Sequence, residues 1–323
     1  MHRDGVIGCR RTPIFLLWLV LVMATCLSVC WSVGVVGREL SGMSSSGPGA
    51  CAEAAVDLGG YLARIGYQGA ALPDLGTLRA LHALHPAAIP FENLDPLLGL
   101  PVPLDLSSLQ HKMVRGGRGG YCFEHNTLFK AVLEAVGFKV TGLIARARWI
   151  VTPDAPPTPR THMMLCVELD GERWLCDVGF GGHLAAAPIR LRLGVEQETP
   201  WNIVRLVPVG DLIGLETRLP AGWKECYRFT MEPIFAIDYE LANWFTAAHP
   251  ASRFRSSLVA ERLTAEIRFT IGNRRYIQRH RDGRVEETEL QSAEMLADAL
   301  THGLGLPDSV DADAVWRRLD AVG

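Results

Sequence analysis

The apolar residues of this chain change their period once, near Gly137, and that change limits the folds open to it. Before it, "AEAAVDLGGYLARIGY" and "DLGTLRALHALHP" place apolar residues at three-to-four spacing. "TLFKAVLEAVGF" then continues a helix that begins near Cys122 and stops at Gly137. From Val140 to about Thr230 the runs "VTGLIARARWIV", "HMMLCVELD", "RWLCDVGF", "WNIVRLVPV" and "ECYRFTM" are short, branched or aromatic, and separated by Gly, Pro and Asp. They read as strands. Beyond Ile237 the signal is mixed: "DYELANWFTAAHP" predicts a helix, "ERLTAEIRFTI" and "RRYIQRH" predict strands, and "AEMLADALTHGLG" and "DADAVWRRLDAV" predict closing helices. Helical, then β, then mixed is an α+β order, not the alternation of a doubly wound sheet. The expected divisions are an extension over 1–50, a helical part over 51–139, a strand-rich part over 140–237 and a mixed part over 238–323.

Composition narrows the partners. A formal charge of −3 over 323 residues gives no electrostatic reason to expect nucleic acid. The eight cysteines form no CxxC pair and no Cys/His ligand cluster, so no metal is expected. Those after position 100 read as free thiols in a reducing compartment. The first fifty residues conflict with that. Pro13 to Gly37 carries no charge, follows Arg3, Arg10 and Arg11, and is long enough to span a bilayer. Three readings stand: upstream sequence translated from a misplaced start, with Met43 the true initiator; an anchor that leaves the body inside; or an export signal. The first is preferred, so the expected location is cytoplasmic, and membrane attachment is expected only if 13–37 is retained.

One stretch carries chemistry. In "RGGRGGYCFEHN" glycines run into Cys122, and Cys122 runs into a helix. Gly119 and Gly120 suggest a sharp turn, and the free N–H groups of a helix start stabilise negative charge placed beside them. A thiol nucleophile needs a base. His125 lies three residues on, roughly on the same helix face. His162 has a stronger claim, because "HMMLCVELDGERWLCDVGF" forms a hairpin with Asp170-Gly171 as a two-residue turn. In that register Leu169 faces Glu172, and His162 and Asp177 are diagonal neighbours on one face, β-carbons within about 7 Å. A one-residue slip would separate them. Asp177 would fix the tautomer of His162 and leave its other nitrogen for the thiol.

These residues resemble the arylamine N-acetyltransferase family. "RGGYCFEHN" (Arg118–Asn126), Thr161-His162, "DVGFG" (Asp177–Gly181), "IPFENLD" (Ile89–Asp95) and "WFTAAHPASRF" (Trp244–Phe254) are similar to its motifs in order and spacing. The likeness runs from about Glu53 to the C-terminus. It implies a helical bundle, a β-barrel and an α/β lid. It also implies ping-pong transfer: Cys122 takes acetyl from acetyl-CoA and passes it to an arylamine or hydrazine, with Cys122, His162 and Asp177 as the catalytic triad. By the same carry-over Thr161, Gly179, Phe180 and Gly181 lie along CoA, and Phe91, Phe123, Trp149 and Phe180 line an aromatic-accepting pocket. The resemblance also implies a buried ion pair of Arg118 with Glu92 beneath the site. Two other enzymes would use the same triad logic: an amide synthase of the macrolactam-forming type, and a thiol protease or transglutaminase-like enzyme.

Overall fold

Asp57 and Asp74 start the first two helices by one device: each carboxylate accepts the backbone N–H three residues on, from Gly60 at 2.9 Å and from Thr77 at 2.7 Å. In the computed structural model, which describes residues 55–182 and 185–322, these are α1 (Leu58–Ile65) and α2 (Leu75–Ala88). A two-residue strand β1 (Phe91–Glu92) and the short helices α3 (Leu94–Leu98) and α4 (Leu106–Leu109) follow, α4 running on as a wider turn over Gln110–Arg115. Then comes α5 (Cys122–Val136), which Gly137 ends in the left-handed region at φ 107°. The apolar stretch 13–37 and Met43 lie outside the described residues. Among the described residues no helix is long and apolar enough to cross a membrane.

The strand-rich part is one antiparallel sheet of eight strands. In chain order these are β2 (Lys139–Ala147), β3 (Arg160–Leu169), β4 (Glu172–Cys176), β5 (Ile189–Arg190), β6 (Glu196–Glu198), β7 (Ile203–Val209), β8 (Leu212–Leu219) and β9 (Gly222–Phe229). Their spatial order is β5-β4-β3-β2-β9-β8-β7-β6. The two edges nearly meet. The Gln197 amide on β6 accepts from Arg190 N–H at 2.8 Å and donates to Arg190 C=O at 2.9 Å on β5, so one side chain replaces a ladder rung and almost closes a barrel. Strand β3 is buried on both faces. Met164 and Cys166 point into the barrel, while Met163, Leu165 and Val167 pack on the helices. That is why "HMMLCV" lacks the alternation of a half-exposed strand.

After the barrel come α6 (Ala236–Ala248), β10 (Val259–Leu263), β11 (Ile267–Gly272), β12 (Arg275–His280), β13 (Val285–Glu289), α7 (Ala293–Asp298) and α8 (Ala312–Val322). These four strands add to β1 in a five-stranded sheet, ordered β1-β10-β11-β12-β13. A strand from the helical part thus forms the edge of the C-terminal sheet. Both parts hold one cleft between them and the barrel, with α5 at its floor.

Candidate active site

The first turn of α5 is buried: Cys122, Phe123, Glu124, His125 and Asn126 all lie within the fold. Buried polar groups must find partners, and each does. Glu124 Oε2 accepts from Tyr121 N–H at 3.0 Å, closing the helix start, and its Oε1 meets Lys112 Nζ at 2.7 Å. Lys112 also binds Asp95 at 2.5 Å, and Arg118 binds both Glu92 at 2.7 Å and Asp95 at 3.0 Å. The expected Arg118–Glu92 pair is therefore one edge of a five-residue network. Burial pushes the Glu124 carboxyl up to about 7 against the pull of Lys112. The glycines before Cys122 serve close approach rather than turning. A β-carbon on Gly119 would lie 1.9 Å from Pro90 C=O, and one on Gly120 would strike Glu124, while neither has a positive φ. This corrects the expectation of a sharp turn there: of that run only Gly117, at φ 69°, needs the left-handed region.

The hairpin forms in the expected register. Asp170 and Gly171 both have positive φ, 51° and 73°, and Leu169 pairs with Glu172. The ladder ends at Leu165 opposite Cys176, one step before Asp177. Asp177 leaves the strand and is held by side chains instead. Asn126, one turn beyond Cys122 on α5, donates to Asp177 Oδ1 at 3.1 Å and to Met163 C=O at 2.8 Å, and accepts from Val178 N–H at 3.3 Å. Gly179 N–H donates to Asp177 Oδ1 at 3.0 Å, and Asp177 N–H donates to His82 Nε2 at 3.2 Å. Asp177 Oδ2 then lies 2.7 Å from His162 Nε2.

Burial disfavours an imidazolium at His162, but the Asp177 charge and hydrogen bond, with a hydrogen bond to Cys122, outweigh it and raise its pKa to about 10. Burial likewise opposes the Asp177 carboxylate, and His162, Gly179 N–H and Asn126 together hold it below the usual range. The His162 ring packs against both Phe180 and Tyr227, at centroid distances of 5.0 Å and 4.9 Å, and those two rings also touch each other at 5.2 Å. The Cys122 thiol donates to Thr161 C=O at 3.5 Å. Gly179 must lack a side chain, since a β-carbon there would lie 2.8 Å from Cys122 Cα.

A cleft of about 850 Å³ opens onto this group. Cys122 and His162 line it, as do Thr161, Gly179, Phe180 and Gly181, and so do Phe91 and Trp149. Asp177 stands behind His162, out of the cleft. Phe123 is a correction to the expected pocket. It does not line the cleft but is fully buried, edge-on to Tyr121 and tilted against Tyr239, because one step along a helix turns a side chain by about 100° away from the thiol. His125, the other candidate base, is engaged at both ring nitrogens, by His85 at 2.7 Å and Pro90 C=O at 3.2 Å. Asn126, His82 and Tyr227 are parts that sequence reasoning missed. The i, i+4 spacing of Cys122 and Asn126 was the one available signal; His82 and Tyr227 come from distant segments with none. Among the described residues no group of three or more His, Cys, Asp or Glu could hold a metal ion.

A buried thiol at a helix start, beside an imidazole paired to a carboxylate and open to a deep cleft, is equipment for acyl transfer through sulfur. Comparison with known proteins gives an acyltransferase family. A family model described as N-acetyltransferase matches residues 74–313. An arylamine N-acetyltransferase of Mycolicibacterium smegmatis is 43% identical over 255 residues, covering 78% of this chain and 92% of the relative. One of Escherichia coli K12 is 40% identical over 252 residues, covering 77% and 89%. The structure of the Mycobacterium marinum arylamine N-acetyltransferase in complex with CoA superimposes with a TM-score of 0.78 at 37% identity, covering 82% of this chain and 99% of that one. The chain belongs to the arylamine N-acetyltransferase family.

Proposed function

We propose that this protein transfers acetyl from acetyl-CoA to an arylamine or arylhydrazine through a thioester on Cys122. The observation that carries the reading is the 2.7 Å contact of His162 Nε2 with Asp177, which leaves Nδ1 of the same ring for the thiol at the cleft floor. His162, oriented by Asp177, takes the Cys122 proton as general base and gives a sulfur anion. That anion attacks the acetyl carbonyl carbon, the carbon–sulfur bond to CoA breaks, and the CoA thiolate leaves with the proton from His162. The arylamine nitrogen then attacks the Cys122 thioester, His162 takes the amine proton, and the Cys122 thiolate is released. Splitting the transfer in two uses the same pair once as acid and once as base. Backbone N–H groups at the start of α5 are candidate donors for the oxyanion of both steps. Phe91, Trp149 and Phe180 give the acceptor ring an apolar wall. Intact mass spectrometry after mixing with acetyl-CoA tests this. One added acetyl group, mapped to Cys122 and lost on adding an aniline or hydrazide, is expected. An unmodified protein, or an adduct that no amine removes, sinks the reading.

A further inference from the structure

Arg148 stands where β2 ends and turns its side chain under the loop that it starts. That loop, 148–159, joins β2 to β3 and brings Trp149, Ile150, Val151, Thr158 and Pro159 to the cleft. Pro153, Pro156, Pro157 and Pro159 deny it the N–H groups that a ladder needs. Its tip is exposed, yet Arg148 is buried. A buried guanidinium must be matched by acceptors, and here the loop's own backbone supplies them. Nη2 donates to Thr152 C=O and Pro153 C=O, both at 2.9 Å, and Nη1 donates to Ala155 C=O at 3.3 Å and Pro156 C=O at 3.2 Å. Each terminal nitrogen of the fork thus meets two carbonyls. The other end of the residue is fixed to the barrel: Arg148 N–H donates to Cys226 C=O on β9 at 2.7 Å, and Nε lies 3.6 Å from Glu225 Oε2.

The two ends of the loop have ties of their own. Lys224 Nζ donates to Val151 C=O at 3.2 Å, Thr158 Oγ1 donates to Ala147 C=O at 2.9 Å, and Arg146 donates to Thr158 C=O. Residues 152–156 have only an internal turn, Ala155 N–H to Thr152 C=O at 3.1 Å. Among the described residues no hydrogen bond but those of Arg148 ties 152–156 to the barrel. The guanidinium therefore holds from behind a loop whose other face is cleft wall.

We propose that Arg148 is a positioning residue for the amine acceptor: it fixes the wall of Trp149, Ile150 and Val151 against an aromatic ring, and so makes the cleft favour an aryl amine over a nucleophile without a ring. The inference rests on the acetyl-transfer reading above. Arg148 does not itself line the cleft, so it acts only through the loop.

The test follows the discharge of preformed acetyl-Cys122 in the full chain by 4-methoxyaniline, which carries a ring, and by hydrazine, which has none. Damage to the fold or to the thiol slows both alike and leaves the ratio of their second-order constants unchanged. In Arg148→Met, which keeps the apolar stem, the ratio of aniline to hydrazine should fall about tenfold, as a higher KM for the aniline with its maximal rate retained. Arg148→Lys keeps the charge, but one ammonium cannot span four carbonyls; it should recover part of the loss and end about threefold below wild type. An unchanged ratio in Arg148→Met, or an equal loss with both nucleophiles, overturns the proposal while leaving acetyl transfer in place. If Arg148→Met does not fold, the lysine variant decides, and an unchanged ratio there overturns it. A wild-type protein that takes no acetyl group from acetyl-CoA overturns the acetyl-transfer reading, and this inference with it.

Discussion

His162 and His125 are both buried beside the start of α5, and they hold protons in opposite ways. Burial pushes each imidazole towards neutrality. At His125 burial wins, and the pKa falls to about 4, because its partners are a neutral ring and a carbonyl. At His162 a carboxylate 2.7 Å away reverses the sign and raises the pKa to about 10. The partners also set direction. His125 Nε2 donates to Pro90 C=O, so its Nδ1 accepts from His85 Nε2, and His85 Nδ1 accepts from the Tyr61 hydroxyl at 2.7 Å. That chain holds the Pro90 segment against Gly119 and Gly120. The comparison teaches that the identity of one neighbour, not depth, separates a histidine able to carry a proton in catalysis from one that braces the loop before the thiol.

Removing the carboxylate should make the two alike. Asp177→Asn keeps its shape and its contact with Asn126, yet acetylation of Cys122 should slow by about 10³–10⁴-fold with the fold retained. Stopped-flow thioester formation with circular dichroism as control checks this, and near-normal turnover would break the comparison. Acidification should unfold the protein through the other class. His82 and His125 both have folded pKa values near 4, below the ordinary 6.5, so the unfolded chain takes up their protons first and stability falls as pH drops from 6.5 towards 4. By pH 5 the loss should reach roughly 2 kcal/mol for each. His162 has the opposite sign: its contribution is complete below pH 6.5 and disappears as pH rises through about 10. Urea midpoints at pH 5, 7 and 9 measure both arms. Because Glu124, raised to about 7, gains stability as pH falls through the same window, the histidine part is read as the difference between wild type and His125→Gln. Equal limbs from 7 to 5 would show that this ring is not held neutral. The smallest effect should come from Tyr61→Phe, which removes the first donor of the chain. A loss of about 1 kcal/mol in stability, with thioester formation nearly unchanged, is expected from paired denaturation and rate measurements. A rate loss as large as that of Asp177→Asn would mean that the chain reaches the reacting sulfur.

Much of this was legible in the residues. The Asp170-Gly171 turn needs positive φ at two positions, and that need alone set the hairpin register and brought His162 and Asp177 to one end of it. The helix start at Cys122 and the stop at Gly137 were marked by their own local chemistry. Elsewhere local pattern misled or was silent. Strand β13, "VEETE", is exposed at every residue, so it has no apolar alternation to read. The glycines of "RGGRGG" look the same whether they turn the chain or admit a distant carbonyl, and only Pro90 distinguishes the two. The family resemblance implied Phe123 as a pocket wall, but helix geometry sends it into the core.

The chain's local chemistry determined its α+β order, the helix that presents Cys122 and the pairing that brings His162 towards Asp177, because turns, caps and strand registers act over a few residues. Tertiary structure alone decided which histidine gains a carboxylate partner, and how Asn126 and His82 hold that carboxylate beyond the end of its ladder. Burial and the field of a neighbour depend on groups tens of residues apart, and no local period records them.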